Sequence, residues 1–167
     1  RMVTPYLKTK DIPMLAVNHT YQEIGLFPKA IVSGGTGIYY SADNIWIIGR
    51  RQEKVGTEIK GYNFIINVEK SRFVKEKSKI PISVTWDGGI NKWSGLMALA
   101  LEANYLAKPS NGWYQLVDRE TGELVGDKMR AKDIQDNGKF WTNMFTTTDF
   151  SEYIKSRYTI GEHAMDA

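Results

Sequence analysis

Three short stretches of the chain hold residues able to do chemistry. Asn18-His19-Thr20-Tyr21 gathers four hydrogen-bonding side chains directly after the apolar run Met14 to Val17. Open α/β sheets place ligand chemistry at such strand ends. His19 therefore has two readings: a sensor of a phosphate or a positioned water, or a side chain used only for structure. Ser33-Gly34-Gly35-Thr36-Gly37 has the glycine density of a phosphate loop, but Ile38-Tyr39 follows where a Walker A loop requires Gly-Lys-Ser/Thr. Consecutive glycines leave backbone N–H groups open to an anion; they equally give plain flexibility. Glu69-Lys70-Ser71-Arg72 follows the apolar run Phe64 to Val68. The two-residue period of an extended chain puts Lys70 and Arg72 on one side, as an anion clamp or as a charge pair on a strand edge in water.

Composition removes other chemistries. With no cysteine there is no thiolate ligand, disulfide or cysteine nucleophile, and His19 and His163 are too far apart for a zinc spacing, so no metal site is expected. No nucleophile elbow, paired carboxylates or His/Asp/Ser order supports a hydrolase. The net charge of +3 is uneven: Arg50 to Lys79 carries nine basic and four acidic residues. A polyanion is the natural partner for such a segment, and a solvated hairpin edge is the alternative. No apolar run is long enough to span a bilayer and no signal-peptide pattern opens the chain, so a cytoplasmic chain with no membrane partner is expected. The first residue is Arg, and the residues after it read like a helix already under way, which suggests a fragment.

The elements that must position these residues can be read from periodicity. Arg1 to Pro13 reads as a helix end and linker, and Met14 to Val17 as a short strand buried on both faces. Gln22 to Ser41 has no period and five glycine or proline residues, which predicts a long mobile loop, least ordered over Gln22 to Ile38. Ile45 to Ile48 and Phe64 to Val68 are strands joined through Gly49 to Gly61 by a charged connection that suits a hairpin. Ile82, Val84 and Trp86 alternate as a third strand ended by Asp87-Gly88-Gly89. Ser94 to Leu106 has helical spacing, with Ser94 as cap and Pro109 as stop. Trp113 to Val117 and Leu124 to Val125 flank a hairpin turn. Phe140, Trp141, Met144 and Phe145 form an apolar stripe, and Asp149 caps a last helix carrying Phe150, Tyr153, Ile154 and Tyr158.

The order of these tags, with Tyr40-Ser41-Ala42-Asp43, Ile47-Ile48-Gly49-Arg50-Arg51-Gln52, Lys75-Glu76-Lys77-Ser78-Lys79, Asn111-Gly112-Trp113-Tyr114 and Arg130-Ala131-Lys132-Asp133, closely resembles the C-terminal half of the RecA-like recombinases of T-even-type phages, the UvsX family. The resemblance runs from about Val3 to Tyr158. It implies an α/β fold: residues 1–108 as part of a RecA-type P-loop NTPase core with a mixed sheet, lacking Walker A and Walker B, then residues 109–167 as a small α/β domain. It implies an ATP-dependent recombinase, a DNA-dependent ATPase when full length, that forms filaments on single-stranded DNA and promotes homologous pairing and strand exchange with duplex DNA. This chain alone would be inactive, since the Walker motifs lie upstream in the family. By resemblance, His19 senses the γ-phosphate, Lys70 and Arg72 reach a neighbour's ATP, and Gly34, Gly35 and Thr36 hold DNA phosphates, with Phe27 and Lys29 near the bases. ATP with Mg²⁺ is the implied cofactor. The implied partners are DNA, further copies of the chain, and the phage mediator and single-strand-binding proteins, all in the cytoplasm of the infected bacterium. The alternatives are a non-catalytic DNA-binding or filament-modulating relic, or another RecA-fold motor such as a helicase.

Overall fold

The structure, a computed structural model, describes residues 3–160; Arg1, Met2 and His163 lie outside them. Helix α1 (Val3–Thr9) opens the described chain and gives way to a turn at Asp11, whose φ is 51°. The strand expected at Met14 to Val17 is absent: residues 12–19 have no strand partner, and Leu15 and Val17 are 90% and 98% exposed. An all-apolar run is stable as a strand only between neighbours that cover both faces, and none of the described strands lies beside it.

The loop expected from Gln22 to Ser41 is instead built from three elements. Strands β1 (Thr20–Gln22) and β2 (Ala30–Val32) form an antiparallel ribbon, with Tyr21 opposite Ile31, and α2 (Thr36–Ser41) follows. The aromatic and β-branched residues suit strands, but three-residue strands are too short to show a period.

Four strands then form one sheet in chain order: β3 (Asn44–Val55), β4 (Glu58–Ser71), β5 (Lys79–Thr85) and β6 (Gly89–Ile90). The mixed sheet expected from the resemblance is not what the described residues form. Every pairing is antiparallel, because successive strands are joined by hairpin turns rather than by the long crossovers that parallel neighbours require. The hairpin expected across Gly49 to Gly61 is present, but most of that stretch is strand and only the turn at Gly56-Thr57 is connection. Its charges were misleading because a long cationic side chain can lie along an apolar neighbour: the Arg50 guanidinium sits 4.6 Å from the centre of the Tyr62 ring, two residues along β4 from its own partner Phe64. Gly61 is a close-approach position, where a Cβ would collide with the Val84 carbonyl oxygen.

The rest of the chain packs around one core. Helix α3 (Leu96–Glu102) is shorter than Ser94 to Leu106 and is preceded by Gly95, at φ 79° against the Pro81 ring. Ser94 does not cap it; its Oγ accepts from the Ser83 N–H at 2.9 Å and donates to the Asn91 carbonyl at 2.7 Å. The helix unwinds at left-handed Asn104 and runs into β7 (Leu106–Ser110), so Pro109 lies inside a strand rather than stopping a helix. That strand is an edge of the sheet β7-β8-β9, completed by β8 (Trp113–Val117) and β9 (Leu124–Arg130), and an edge is where a strand tolerates proline. Helices α4 (Ala131–Gln135), α5 (Gly138–Thr147) and α6 (Phe150–Tyr158) cover it. Met97, Ala100, Tyr105, Leu106, Ile134, Trp141, Met144 and Phe150 form the core.

Asp149 precedes α6 as expected, yet its carboxylate does not cap the helix. It accepts the Tyr105 hydroxyl at 2.6 Å. Burial, and then that hydrogen bond, push the Tyr105 phenol up to about 12, while the same bond holds Asp149 below the usual carboxylate range.

Candidate nucleic-acid and phosphate site

The ribbon β1–β2 presents its tip to solvent. Phe27 is 91% exposed, Lys29 is exposed beside it, and the Glu23 N–H closes the tip by donating to the Lys29 carbonyl at 2.8 Å. Ile24 and Leu26 are exposed there too. At the base of the ribbon, the Ser33 N–H donates to the His19 carbonyl at 2.9 Å, and Asn18 Nδ2 donates to the Ser33 carbonyl at 2.6 Å. Asn18 Oδ1 in turn accepts the His19 N–H at 2.8 Å. His19 is thus tied to the glycine segment through backbone, with an exposed side chain.

Gly34 and Gly35 turn the chain into α2 at φ 99° and 77°. With ψ at −178°, Gly35 occupies a region essentially reserved for glycine. The two positions differ in surroundings. A Cβ on Gly34 would meet Ile38 Cδ1 at 2.5 Å, whereas nothing lies within 4 Å of one on Gly35. Gly35 therefore faces open space, and Thr36 begins the helix beside it.

The cations sit at the other end of α2. Lys70 Nζ donates to the carbonyls of Tyr39 and Tyr40, at 2.8 and 3.3 Å, and lies 5.4 Å from the centre of the Tyr39 ring. A lysine on the last carbonyls of a helix satisfies acceptors that have no partner in the helix itself. Arg72 Nε pairs with Asp43 Oδ1 at 3.1 Å. Desolvation, with Glu69 and Glu76 nearby, raises the Tyr39 phenol above its ordinary value. The sequence thus indicated Lys70 and Arg72 as a pair, and the structure aims both at residues 39–43. It also brings the three chemistry-bearing stretches to a single helix: His19 and the glycines at its start, the cations at its end.

Sequence reasoning missed Asp43, and it missed a groove on the sheet. There Gly49 leaves a depression of about 210 Å³ between Arg51, Ile65, Asn67 and Lys79. The positive segment pointed to it, but the groove could be found only once the β3–β4 register was known. Asn67 Nδ2 donates to the Ile47 carbonyl at 3.1 Å, and Arg51 and Lys79 supply positive charge. Among the described residues no three His, Asp or Glu side chains converge to hold a metal ion. What the arrangement offers is anion binding: open glycine backbone, two cations within reach of one helix end, and a second basic groove.

Residues 93–154 match the family described as the C-terminal domain of the bacteriophage T4 recombination and repair protein. Over 165 residues the chain is 49% identical to a recombination and repair protein of Enterobacteria phage T4, an alignment covering 96% of this chain and 42% of that relative. The chain thus spans about two fifths of the length of the curated relative it matches.

Proposed function

The chain belongs to the phage UvsX family of recombination and repair proteins, and from that premise we propose that it carries the DNA-facing loop and the neighbour-facing cations of an ATP-dependent recombinase. In this reading the sheet β3-β4-β5-β6 is the antiparallel part of a RecA-type core. The ribbon β1–β2 lies along single-stranded DNA in a filament, and the filament pairs and exchanges strands with homologous duplex. It works in the cytoplasm of the infected bacterium beside the phage mediator and single-strand-binding proteins.

The observation that carries the reading is the position of α2, with glycines in glycine-only geometry at one end and the Lys70 ammonium at the other. Gly34, Gly35 and Thr36 can offer backbone to phosphates without sequence preference, Phe27 can stack on a base, and Lys29 adds charge. Lys70 and Arg72 supply donors for a triphosphate, so the phosphates of ATP fit the chemistry of the pair; the accompanying Mg²⁺ would take oxygen ligands, which neither side chain offers. When bound, the nucleotide would supply the phosphoryl transfer that drives the cycle; this chain's part is to place two cations beside it, and His19, tied to the glycine segment through Asn18 and Ser33, is the sensor of the γ-phosphate in this reading.

The test is fluorescence anisotropy with labelled oligothymidylate at two salt concentrations, followed by DNA-stimulated ATP hydrolysis in the full-length protein. Affinity that falls with salt as phosphate neutralisation requires, and stimulated hydrolysis that collapses in Lys70→Ala with Arg72→Ala, support the reading. A cation delivered by a neighbour is worth about 10³-fold or more in phosphoryl transfer, so near-normal turnover in that double variant defeats it. Binding without any stimulated hydrolysis returns the chain to a non-catalytic DNA-binding module.

A further inference from the structure

We propose that residues 39–43 form an internal clasp that holds both cations on their own subunit, and that Asp43 is the positioning residue for Arg72. The inference rests on the anion-binding reading of Lys70 and Arg72 and adds a regulatory state to it. Both cations are already engaged within this chain, Lys70 with the carbonyls of Tyr39 and Tyr40 and Arg72 with Asp43. A phosphate on another subunit must therefore compete with acceptors spread over only five residues.

Each hold is suited to release. Arg72 and Asp43 are 54% and 59% exposed at the side chain, and solvent-exposed ion pairs are worth little because water and salt screen them. The Lys70 contact depends on the carbonyl end of α2, whose start is Gly35 and Thr36. A six-residue helix is about 9 Å long, short enough that in this proposal a ligand shifting Gly34 to Thr36 also displaces the Tyr39 and Tyr40 carbonyls from the ammonium. Occupation of the loop would thereby free the cations that the neighbouring site requires.

The probe is inorganic tripolyphosphate, titrated calorimetrically into the 167-residue chain, with thermal melts to confirm folding. Removing an exposed ion pair's competition predicts a gain of about two- to fivefold in affinity for Asp43→Asn. Removing a negative charge near any anion would also raise affinity, so the deciding measurement is a double-mutant cycle. In an Arg72→Ala background, Asp43→Asn should leave affinity unchanged. The same gain in both backgrounds, or no gain in the single variant, overturns the clasp. Weakened but measurable binding in Arg72→Ala, lost when Lys70→Ala is added, upholds the anion-site reading independently. Tripolyphosphate binding that is indifferent to both cations defeats that reading and the clasp with it.

Discussion

Residues 93–160 and residues 3–92 use apolar side chains in opposite ways. The first region buries Trp141, Tyr105, Phe150, Leu106 and Ile134 almost completely, in a core closed by α3, the sheet β7-β8-β9 and three helices. In the second, Val68 is the one hydrophobic residue among those described that is fully buried, while Leu15, Val17, Ile24, Leu26 and Phe27 are at least 90% exposed. These five side chains are left uncovered by the rest of the described chain. The difference teaches where stability resides: the C-terminal unit closes a core of its own, and the N-terminal region presents loops, cations and apolar residues outward.

The largest expected effect tests that division directly. Trp141→Ala should cost about 3–5 kcal/mol in urea denaturation, as for large-to-small changes in a closed core. Its indole N–H is buried with no partner among the described residues, so Trp141→Phe should cost much less, having no hydrogen bond to them to lose. Next comes Gly35→Val, which forces a β-branched residue into glycine-only backbone worth about 1–3 kcal/mol of strain. Oligothymidylate affinity should drop about tenfold or more, since 1.4 kcal/mol is a factor of about ten in binding, while the C-terminal core stays folded. An unchanged affinity would remove the loop from the binding surface.

A smaller effect lies in the pH dependence of the core. The Tyr105 phenol is raised to about 12 in the folded chain against about 10 unfolded, so its contribution is fully present below pH ~10 and is lost as pH rises toward about 12. Asp149 is depressed, so its contribution is present above the ordinary carboxylate value and is lost as pH falls through the lowered one. Urea midpoints across pH should show both limbs, and Tyr105→Phe should flatten both. The smallest effect is expected at the ribbon tip, where Leu26→Ala should change stability by no more than about 0.5 kcal/mol. A cost there comparable to that of Trp141→Ala would break the comparison between the two regions.

What the sequence made legible obeys the same division. The stripe Phe140, Trp141, Met144 and Phe145 was readable because a self-contained core imposes its period locally on α5, and the turn between Val117 and Leu124 was readable from its residues. Met14 to Val17 failed as a strand because pairing is a tertiary event that apolar composition cannot guarantee. The ribbon β1–β2 and the extended arms of β3 and β4 were missed because three-residue strands and strands rich in charged and polar residues carry no hydrophobic period. Of the site, Lys70, Arg72 and the glycines were visible as residue types, but their convergence on α2 depends on a hairpin 14 residues long on its second arm. Asp43 had no signal of its own.

The short contact between Val74 and Thr159 joins the loop after Arg72 to the end of α6. The Lys75 amide donates to the Tyr158 carbonyl at 2.8 Å, and Lys75 Nζ to the Ser156 carbonyl at 3.1 Å. Local opening of a protein is cooperative within such hydrogen-bonded units. The protection of the Lys75 amide against hydrogen exchange should therefore report on the last turn of α6, while the neighbouring Phe73 and Val74 amides, held by the Ser71 hydroxyl, report on β4.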